Sequence, residues 1–283
     1  MVAFDVVVPI HNIEPWQLEN CLQSISDQTH EDFTVIVVES AASSNEVSEC
    51  IVAKFGYLYL IQEGKGVSQA RNQGVKAGSS DYLAFLDGDD TWFPNHLEII
   101  SDEIELDTTD YVCWWGDYLI STPVVSQMTG KTMDTFIKCG NHTDFSKFRP
   151  EDWRYYSLPV PLYPSATAVR RSAFESIGGF NEEWLCWEDA VLYDDLARVG
   201  LGKYVESAGC WGTAQAAGTH TTKIEGANTR DDRLYWFEKL QDHAEFPSLE
   251  NPPPDVSEEY WKFVVDFCCN PNSKYEQGGI NFE

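Results

Sequence analysis

Basic residues are scarce in this sequence: 19 lysines and arginines stand against 46 aspartates and glutamates, which gives a formal net charge of −27 over 283 residues. Contacts to nucleic-acid phosphates need clusters of lysine and arginine, so the composition argues against a nucleic-acid partner. The acidic residues are spread along the chain rather than collected in a tail, which is typical of a solvated surface. Apolar residues make up 43% of the chain, and this content indicates a globular fold.

Long hydrophobic runs are also missing. No stretch approaches the roughly 20 apolar residues of a membrane-spanning helix. The chain enters a strand-like segment at Phe4–Val8 without the basic start and cleavage site of a signal peptide. The eight cysteines have neither the paired spacing of a zinc site nor the density of a disulfide scaffold. We therefore expect a soluble, cytoplasmic protein with no transmembrane segment and with reduced cysteines, and a redox pair at Cys268 and Cys269 is a secondary hypothesis.

The first hundred residues show a regular alternation of strand and helix signals. Apolar periodicity predicts strands at Val6–Val8, Thr34–Val38, Tyr57–Ile61 and Tyr82–Leu86, and helices at Glu14–Asp27, at Glu46–Lys54 and from Ser68 onwards. This order predicts an α/β protein with a mostly parallel central sheet flanked by helices. Ligands of such sheets bind beyond the carboxyl ends of the strands. Pro9, Glu39, Gly64 and Asp87 fall at those ends.

After residue 110 the pattern becomes mixed. We expect strands at Tyr111–Ile120 and Ala166–Val169, helices at Ser172–Ser176 and Glu188–Val199, a loop-rich aromatic segment over 123–165, and tail helices at Asp231–Ala244 and Glu258–Cys268. The predicted organisation is one domain over 1–225, with halves 1–110 and 111–225, followed by a helical extension over 226–283 that packs on the body.

The end of the fourth predicted strand is the most informative stretch. Asp87, Asp89 and Asp90 lie within four positions around Gly88. Carboxylates so close together repel each other unless a cation offsets their charge. Oxygen ligands suit Mg²⁺ or Mn²⁺, and Mg²⁺ is often bound between carboxylates and substrate phosphates. An acidic turn that caps the following helix is the alternative interpretation, since Asp-Gly is common in turns.

Six short motifs follow one another in an order that carries more information than any one of them. They are Val-Val-Val-Pro-Ile-His-Asn (6–12), Val-Ile-Val-Val-Glu-Ser (35–40), Gly-Val-Ser-Gln-Ala-Arg-Asn-Gln-Gly (66–74), Phe-Leu-Asp-Gly-Asp-Asp (85–90), Ile-Gly-Gly-Phe-Asn-Glu (177–182) and Trp-Glu-Asp-Ala-Val-Leu (187–192). In this order and spacing the chain resembles the family 2 glycosyltransferases, which have the Rossmann-like GT-A fold, over about residues 4–225. The resemblance implies metal-dependent, inverting transfer of a sugar from a UDP-, GDP- or dTDP-linked donor to a saccharide or glycoconjugate, as in glycan biosynthesis.

The resemblance also implies where the nucleoside of the donor binds. Pro9, His11 and Asn12 would hold it in the loop after the first strand. Glu39 stands where the family usually has an aspartate that hydrogen-bonds the base. This chain reads Glu-Ser-Ala-Ala in place of the common Asp-Asp-Gly-Ser, so the identity of the base stays open. Glu39 is alternatively a cap of the following helix.

Two further donor contacts follow from the third motif. Gly66 gives its loop the freedom to approach a sugar or phosphate closely. Arg71 and Asn72 lie in the first part of the next helix, where a guanidinium can bind the diphosphate or order the metal-binding carboxylates through a buried pair. A salt bridge that only stabilises the fold is the alternative for Arg71.

The family pattern places the metal at the acidic cluster. Asp89 would bind Mn²⁺ or Mg²⁺, and Asp87 would contact the ribose or reach the ion through water. Gly88 and Asp90 would help to hold the donor. His220 resembles a late family histidine that reaches the diphosphate or the metal, with a structural histidine as the alternative, and Lys223 would add positive charge to the donor site.

The last motif indicates the acceptor side. Glu188 and Asp189 match the family's Glu-Asp pair at the start of a helix, and an inverting transfer needs one base to take the proton of the acceptor hydroxyl. We assign that role to Asp189, whose alternative role is helix capping. Trp184 and Trp187 would stack on a sugar face of the acceptor, or else pack in the core.

Three other functions are compatible with parts of this sequence. A nucleotidyltransferase would share the strand order and the acidic site, but it would usually carry a glycine-rich loop with basic residues where this chain has Pro-Ile-His-Asn-Ile-Glu. A glycoside hydrolase would use paired carboxylates without needing a nucleotide or the opening strand–helix alternation. A non-catalytic carbohydrate-binding or scaffold protein stays open because of the altered loop at Glu39.

Overall fold

The computed structural model describes residues 2–125, 132–139, 162–184, 187–212 and Lys239. The strands are β1 (Phe4–Ile10), β2 (Phe33–Glu39), β3 (Leu58–Ile61), β4 (Tyr82–Phe85), β5 (Thr91–Trp92), β6 (Tyr111–Val125), β7 (Thr132–Cys139), β8 (Thr167–Arg170) and β9 (Leu201–Gly212). The helices are α1 (Pro15–Ser26), α2 (Glu46–Phe55), α3 (Val67–Ala77), α4 (His96–Leu106), α5 (Arg171–Ser176) and α6 (Glu188–Val199), and Pro164–Ala166 forms one turn of 3₁₀ helix. The predictions for His220, Lys223, the two tail helices and the Cys268–Cys269 pair lie outside the described residues.

The described strands form one sheet in the order β3-β2-β1-β4-β8-β6-β9-β5, with β7 paired to β6. The first four strands are parallel to one another, whereas β8 runs antiparallel to both β4 and β6. The sheet therefore has a parallel half, followed by a mixed half that begins at β8. The acidic cluster lies where these two halves meet, because it directly follows β4.

Both faces of β1, in the middle of the parallel half, are buried. Val6 and Val8 on β1 belong to one apolar cluster, and Val7 between them belongs to another on the opposite face. Alternate residues of a strand point to opposite faces, so a continuous run of valines fits a strand that is covered by helices on both sides. This is the reason that the apolar runs of the sequence predict these strands well.

Local signals fix the ends of the helices around the sheet. The side chain of Asn45 accepts hydrogen bonds from the first turn of α2, and Gly56 ends that helix in the left-handed conformation. Pro15 occupies the first turn of α1, where its missing N–H costs nothing. Because β1, β2 and β4 are parallel, the loops after β1 and β2 lie at the same edge of the sheet as the acidic cluster.

Parts of the second half differ from the sequence-based expectation. The segment 123–165, predicted to be loop-rich, also contains strand residues that were not predicted, because β6 continues to Val125 and β7 covers Thr132–Cys139. Helix α4 and strands β5 and β9 were not predicted. Strand β9 contains three glycines and several polar residues, and its place between β6 and β5 is set by pairing across the sheet rather than by an apolar run.

Two expectations from composition can be compared with the described residues. None of the helices in the described ranges is long and apolar enough to cross a membrane. Four of the cysteines, Cys21, Cys50, Cys113 and Cys210, are free, and all but Cys50 are buried.

A buried histidine makes stability depend on pH. His96, at the start of α4, is fully buried and stacks on Trp92 with 4.8 Å between ring centroids. Burial lowers the pKa of His96 to about 3. In the unfolded chain a histidine takes up its proton near pH 6.5. The contribution of neutral His96 to the free energy of unfolding is therefore complete above about pH 6.5. It decreases by about 1.4 kcal/mol per pH unit as the pH falls from about 6.5 towards 3.

We expect His96→Phe to flatten the loss of stability in acid, since phenylalanine keeps an aromatic ring on Trp92 but binds no proton. Urea unfolding at several pH values between 7 and 4 measures this. An equal dependence on pH in the variant and the parent would contradict the prediction.

Candidate active site

The acidic loop closes tightly after β4. The N–H of Asp90 donates to the carbonyl of Asp87 at 2.9 Å. Gly88 is buried, and a Cβ atom there would lie 2.5 Å from Ile10 and 2.9 Å from Ile13. Only glycine therefore lets the loop approach the end of β1 so closely. Asp87 and Asp89 remain partly exposed, while Asp90 points into the protein.

Arg71 joins the acidic loop to the start of α6. Its side chain is 3% exposed, and it donates to Asp87 Oδ1 at 2.7 Å and to Glu188 Oε1 at 3.1 Å. Its guanidinium also lies 5.0 Å from the ring centroid of Phe180. Burial alone would lower the pKa of Arg71, but the carboxylates of Asp87 and Glu188 outweigh it and raise that pKa above its ordinary value. The buried arginine orders two carboxylates that are far apart in the sequence.

Asp189 lies next to this bridge, in the first turn of α6. It is partly exposed and accepts a hydrogen bond from the N–H of Ala190 at 2.8 Å. The limited access of water and the negative charge of Glu188 raise the pKa of Asp189 to about 7, against the opposing effect of Arg71. A carboxylate with such a pKa is suited to take a proton near neutral pH.

Asn72 connects α3 to the turn before α6. Its amide donates to the carbonyl of Phe180 at 2.8 Å and accepts from the N–H of the same residue at 2.9 Å. It also donates to Glu182 Oε1 at 2.9 Å. The side chain is buried and its polar atoms are bonded within the protein, so this geometry favours a positioning role over the direct donor contact that the sequence predicts.

Glu39 is fully buried at the end of β2. Its carboxylate accepts from the hydroxyl of Tyr59 at 2.5 Å, from the hydroxyl of Ser48 at 3.1 Å and from the amide of Asn45 at 3.4 Å. Burial and this carboxylate raise the pKa of Tyr59. Glu39 thus supports the capped start of α2, and the structure shows it bonded to the protein rather than open to a base.

The other predicted donor residues line the same edge of the sheet. Pro9 is buried within β1, while His11 and Asn12 just after it are exposed and lie 3.1 Å apart, from Nε2 to Nδ2. Asn12 has a left-handed backbone with φ of 48°, and Gly66 begins α3 with φ of 83°. Gly66 is exposed, and its carbonyl accepts from the amide of Gln62 at 2.7 Å.

The two tryptophans of the predicted acceptor site have different surroundings. Trp184 is buried, and the ammonium of Lys239 lies 4.6 Å from its ring centroid. Trp187 is partly exposed and has a left-handed backbone with φ of 61°, which is uncommon for a bulky residue. Of the two, Trp187 is placed better to meet a sugar, since it directly precedes Glu188 and Asp189.

A buried hydrogen-bond network under the acidic loop was not found by sequence reasoning. The hydroxyl of Ser165 donates to Asp90 Oδ2 at 2.6 Å, and the hydroxyl of Tyr118 lies 3.2 and 3.1 Å from the two carboxylate oxygens of Asp90. Ser165 belongs to a segment that the sequence marks only as loop-rich, and no motif singles it out.

The carboxylates of the acidic loop fit a divalent cation that takes its remaining ligands from the substrate. Within the described ranges, no three histidine, cysteine, aspartate or glutamate side chains are arranged to hold a metal by themselves. Mg²⁺ is usually held by one or two carboxylates, with water and substrate phosphates completing its shell. Two partly exposed carboxylates, Asp87 and Asp89, at a strand end match that arrangement.

Solved structures with the same architecture identify the fold. S. aureus TarS 1–349 in complex with UDP-GlcNAc superimposes with a TM-score of 0.62 and 18% identity, over 95% of this chain and 72% of TarS. The mannosyltransferase PcManGT from Pyrobaculum calidifontis, in complex with GDP-Man and Mn²⁺, gives a TM-score of 0.57 and 16% identity, over 94% of this chain and 68% of that one. The predicted GT-A fold of glycosyltransferases is confirmed.

Sequence comparison then gives the family. The model for "Glycosyl transferase family 2" matches residues 5–178, more than half of the chain, and the chain belongs to this family. An uncharacterized glycosyltransferase from Rickettsia bellii is 38% identical over 99 residues, which are 33% of this chain. The match spans only 14% of the length of that relative.

Proposed function

We propose that this protein is a metal-dependent, inverting glycosyltransferase that moves a sugar from a nucleotide-sugar donor to a saccharide or glycoconjugate acceptor. Membership of the family and the GT-A fold support glycosyl transfer. Of two structural neighbours, one is in complex with UDP-GlcNAc and the other with GDP-Man and Mn²⁺. These ligands support a nucleotide sugar and a divalent cation for this chain, with Mn²⁺ or Mg²⁺ as the ion.

The bridge from Asp87 through Arg71 to Glu188 is the observation that carries this proposal. It brings the acidic loop and the Glu188–Asp189 pair to one place, although about a hundred residues separate them. A transferase needs its leaving group and its base on either side of the same sugar. A purely structural acidic turn would not need the second carboxylate pair beside it.

Each residue then has a role in the reaction. Asp89 and Asp87 would hold the cation, which would supply positive charge for the departing nucleoside diphosphate. Asp189 takes the proton of the acceptor hydroxyl as its oxygen forms a bond to the anomeric carbon, and the bond from that carbon to the diphosphate breaks on the opposite face. Arg71 and Glu188 hold this geometry, and Trp187 offers a ring face to the acceptor.

A second candidate function is sugar binding without catalysis. It is suggested by the motif at Glu39, which differs from the common pattern of the family. Because Glu39 is fully buried and bonded to Tyr59, Ser48 and Asn45, we assign base recognition to other groups of the same edge. The raised pKa of Asp189 favours the enzyme, because a binding protein has no use for a carboxylate poised to accept a proton.

Donor binding tests this function directly. We expect UDP, GDP or dTDP to raise the thermal unfolding midpoint more in the presence of Mn²⁺ than in its absence, since binding to the native state stabilises it. Asp89→Ala should remove the Mn²⁺-dependent part of that rise. Differential scanning fluorimetry with the three nucleotides measures both effects.

Asp102→Ala is the matched control, since it removes an exposed carboxylate on α4. It should leave the Mn²⁺-dependent rise intact. An undiminished rise in Asp89→Ala would rule out Asp89 as a metal ligand, and no rise with any nucleotide in the parent protein would favour the non-catalytic function.

A further inference from the structure

We propose that Ser165 and Tyr118 are positioning residues of the cation site, which act through Asp90 to fix the shape of the acidic loop. This inference rests on the proposed function, because it concerns the affinity of the same loop for a divalent cation and a diphosphate. Neither residue belongs to the motifs of the sequence.

Ser165 holds both ends of the acidic loop with one hydroxyl group. Its proton goes to Asp90 Oδ2 at 2.6 Å, and its oxygen accepts the N–H of Asp87 at 3.0 Å. The carbonyl of Ser165 also accepts the indole N–H of Trp92 at 2.6 Å, just beyond the loop. One short segment therefore contacts the residues that begin, end and follow the turn that carries Asp89.

Tyr118 secures the same carboxylate from β6. Its hydroxyl lies 3.1 Å from Asp90 Oδ2, and its ring stacks on Tyr163 with 3.9 Å between centroids and 14° between planes. Tyr163 precedes Ser165 by two residues, so the stacking also holds the segment that carries Ser165 against Tyr118. A Cβ atom on Gly212 would meet the Tyr118 hydroxyl at 2.2 Å, which shows how closely the phenol is enclosed.

Burial keeps these residues away from any substrate. Ser165 is 1% exposed, Asp90 2% and Tyr118 6%. A buried carboxylate needs hydrogen-bond donors, and here two hydroxyls supply them. Their effect on a ligand must therefore pass through the loop, whose partly exposed carboxylates Asp87 and Asp89 are held by the fixed Asp90.

A cation site whose ligands within the described ranges are Asp87 and Asp89 depends strongly on such support. Groups that orient metal ligands typically contribute 10–100-fold to metal affinity. If Ser165 and Tyr118 hold the loop in its binding shape, removing either hydroxyl should weaken Mn²⁺ binding without removing any ligand. The test needs a readout of the metal itself rather than of turnover.

We expect Ser165→Ala and Tyr118→Phe each to weaken Mn²⁺ binding about tenfold or more in the presence of saturating UDP or GDP. Electron paramagnetic resonance of free Mn²⁺ measures this in the full chain. Thr167→Val is the matched control, because it removes another fully buried hydroxyl, one that bonds Pro164 and Tyr193 instead of the loop. It should bind Mn²⁺ as the parent does.

The possible results separate the two proposals. Parental affinity in both Ser165→Ala and Tyr118→Phe would overturn the positioning role and leave the proposed function standing. Equal weakening in Thr167→Val would also overturn it, because the effect would then be general to buried hydroxyls. No nucleotide-dependent Mn²⁺ binding in the parent would overturn both. If Ser165→Ala unfolds, Tyr118→Phe tests the same carboxylate from β6.

Discussion

Asp189→Asn should reduce sugar transfer about 10²–10⁴-fold while leaving donor affinity nearly unchanged. The amide has the same shape as the carboxylate but cannot take the proton of the acceptor hydroxyl. Asp189 is not among the residues that bind the donor in the proposed mechanism, so the nucleotide should still bind. Turnover assays and nucleotide titration on the same preparation measure the two effects separately.

Asp195→Asn provides the control for this change, since Asp195 lies on the same helix, two residues beyond Tyr193, and is also partly exposed. Its transfer rate should match that of the parent. A parental rate in Asp189→Asn would show that another group takes the proton.

The pKa of Asp189 adds a pH dependence to the same prediction. Because that pKa is raised to about 7, the base is increasingly protonated below this value and transfer should fall as the pH falls. The low-pH limb of the rate profile should disappear from the residual activity of Asp189→Asn. A limb with an unchanged midpoint in the variant would assign it to a different group.

Arg71→Met should destabilise the protein by about 3 kcal/mol and abolish transfer. The substitution leaves the nearly buried Glu188 and the partly exposed Asp87 without their shared cation, and loss of one partner from a buried pair is strongly destabilising. Exposure of Asp87 to water keeps the expected loss at the lower end for buried pairs. Urea unfolding gives the change in free energy.

Lys54→Met is a useful contrast, because Lys54 pairs with Glu19 at 3.0 Å on the surface, with both side chains largely exposed. It should cost at most about 1 kcal/mol. Adding Glu188→Gln to Arg71→Met should recover part of the lost stability, since one uncompensated charge is removed. A loss no larger than that of Lys54→Met would show that the bridge contributes little to the fold.

The sequence predicts the parallel half of the fold because each of its strands is a continuous apolar run with glycine, proline or capping residues at its ends. It predicts the acidic loop and the Glu188–Asp189 pair because these residues stand in short local motifs. It leaves the role of Arg71 open, since a contact to residues 16 and 117 positions away depends on how the chain returns across the sheet.

The parts that could not be predicted depend on contacts between distant segments. Ser165 and Tyr118 are ordinary residues in their local surroundings, and only the pairing of β8 between β4 and β6 brings them beneath Asp90. Glu39 stands in a motif that indicates base binding, but no local pattern reveals that the hydroxyls of Tyr59 and Ser48 donate to its carboxylate. Strand β9 has no apolar pattern of its own to reveal it.

Arg71 and Asn72 are adjacent on one turn of α3, yet they hold two different parts of the later chain. An added or deleted residue between Gly66 and Arg71 would rotate both side chains by about 100° around the helix axis and release both partners together. The exposed loop after β2, residues 40–44, does not set the position of two such contacts. Natural relatives built on this arrangement should therefore vary in length within residues 40–44 and keep a constant count between the start of α3 and Asn72.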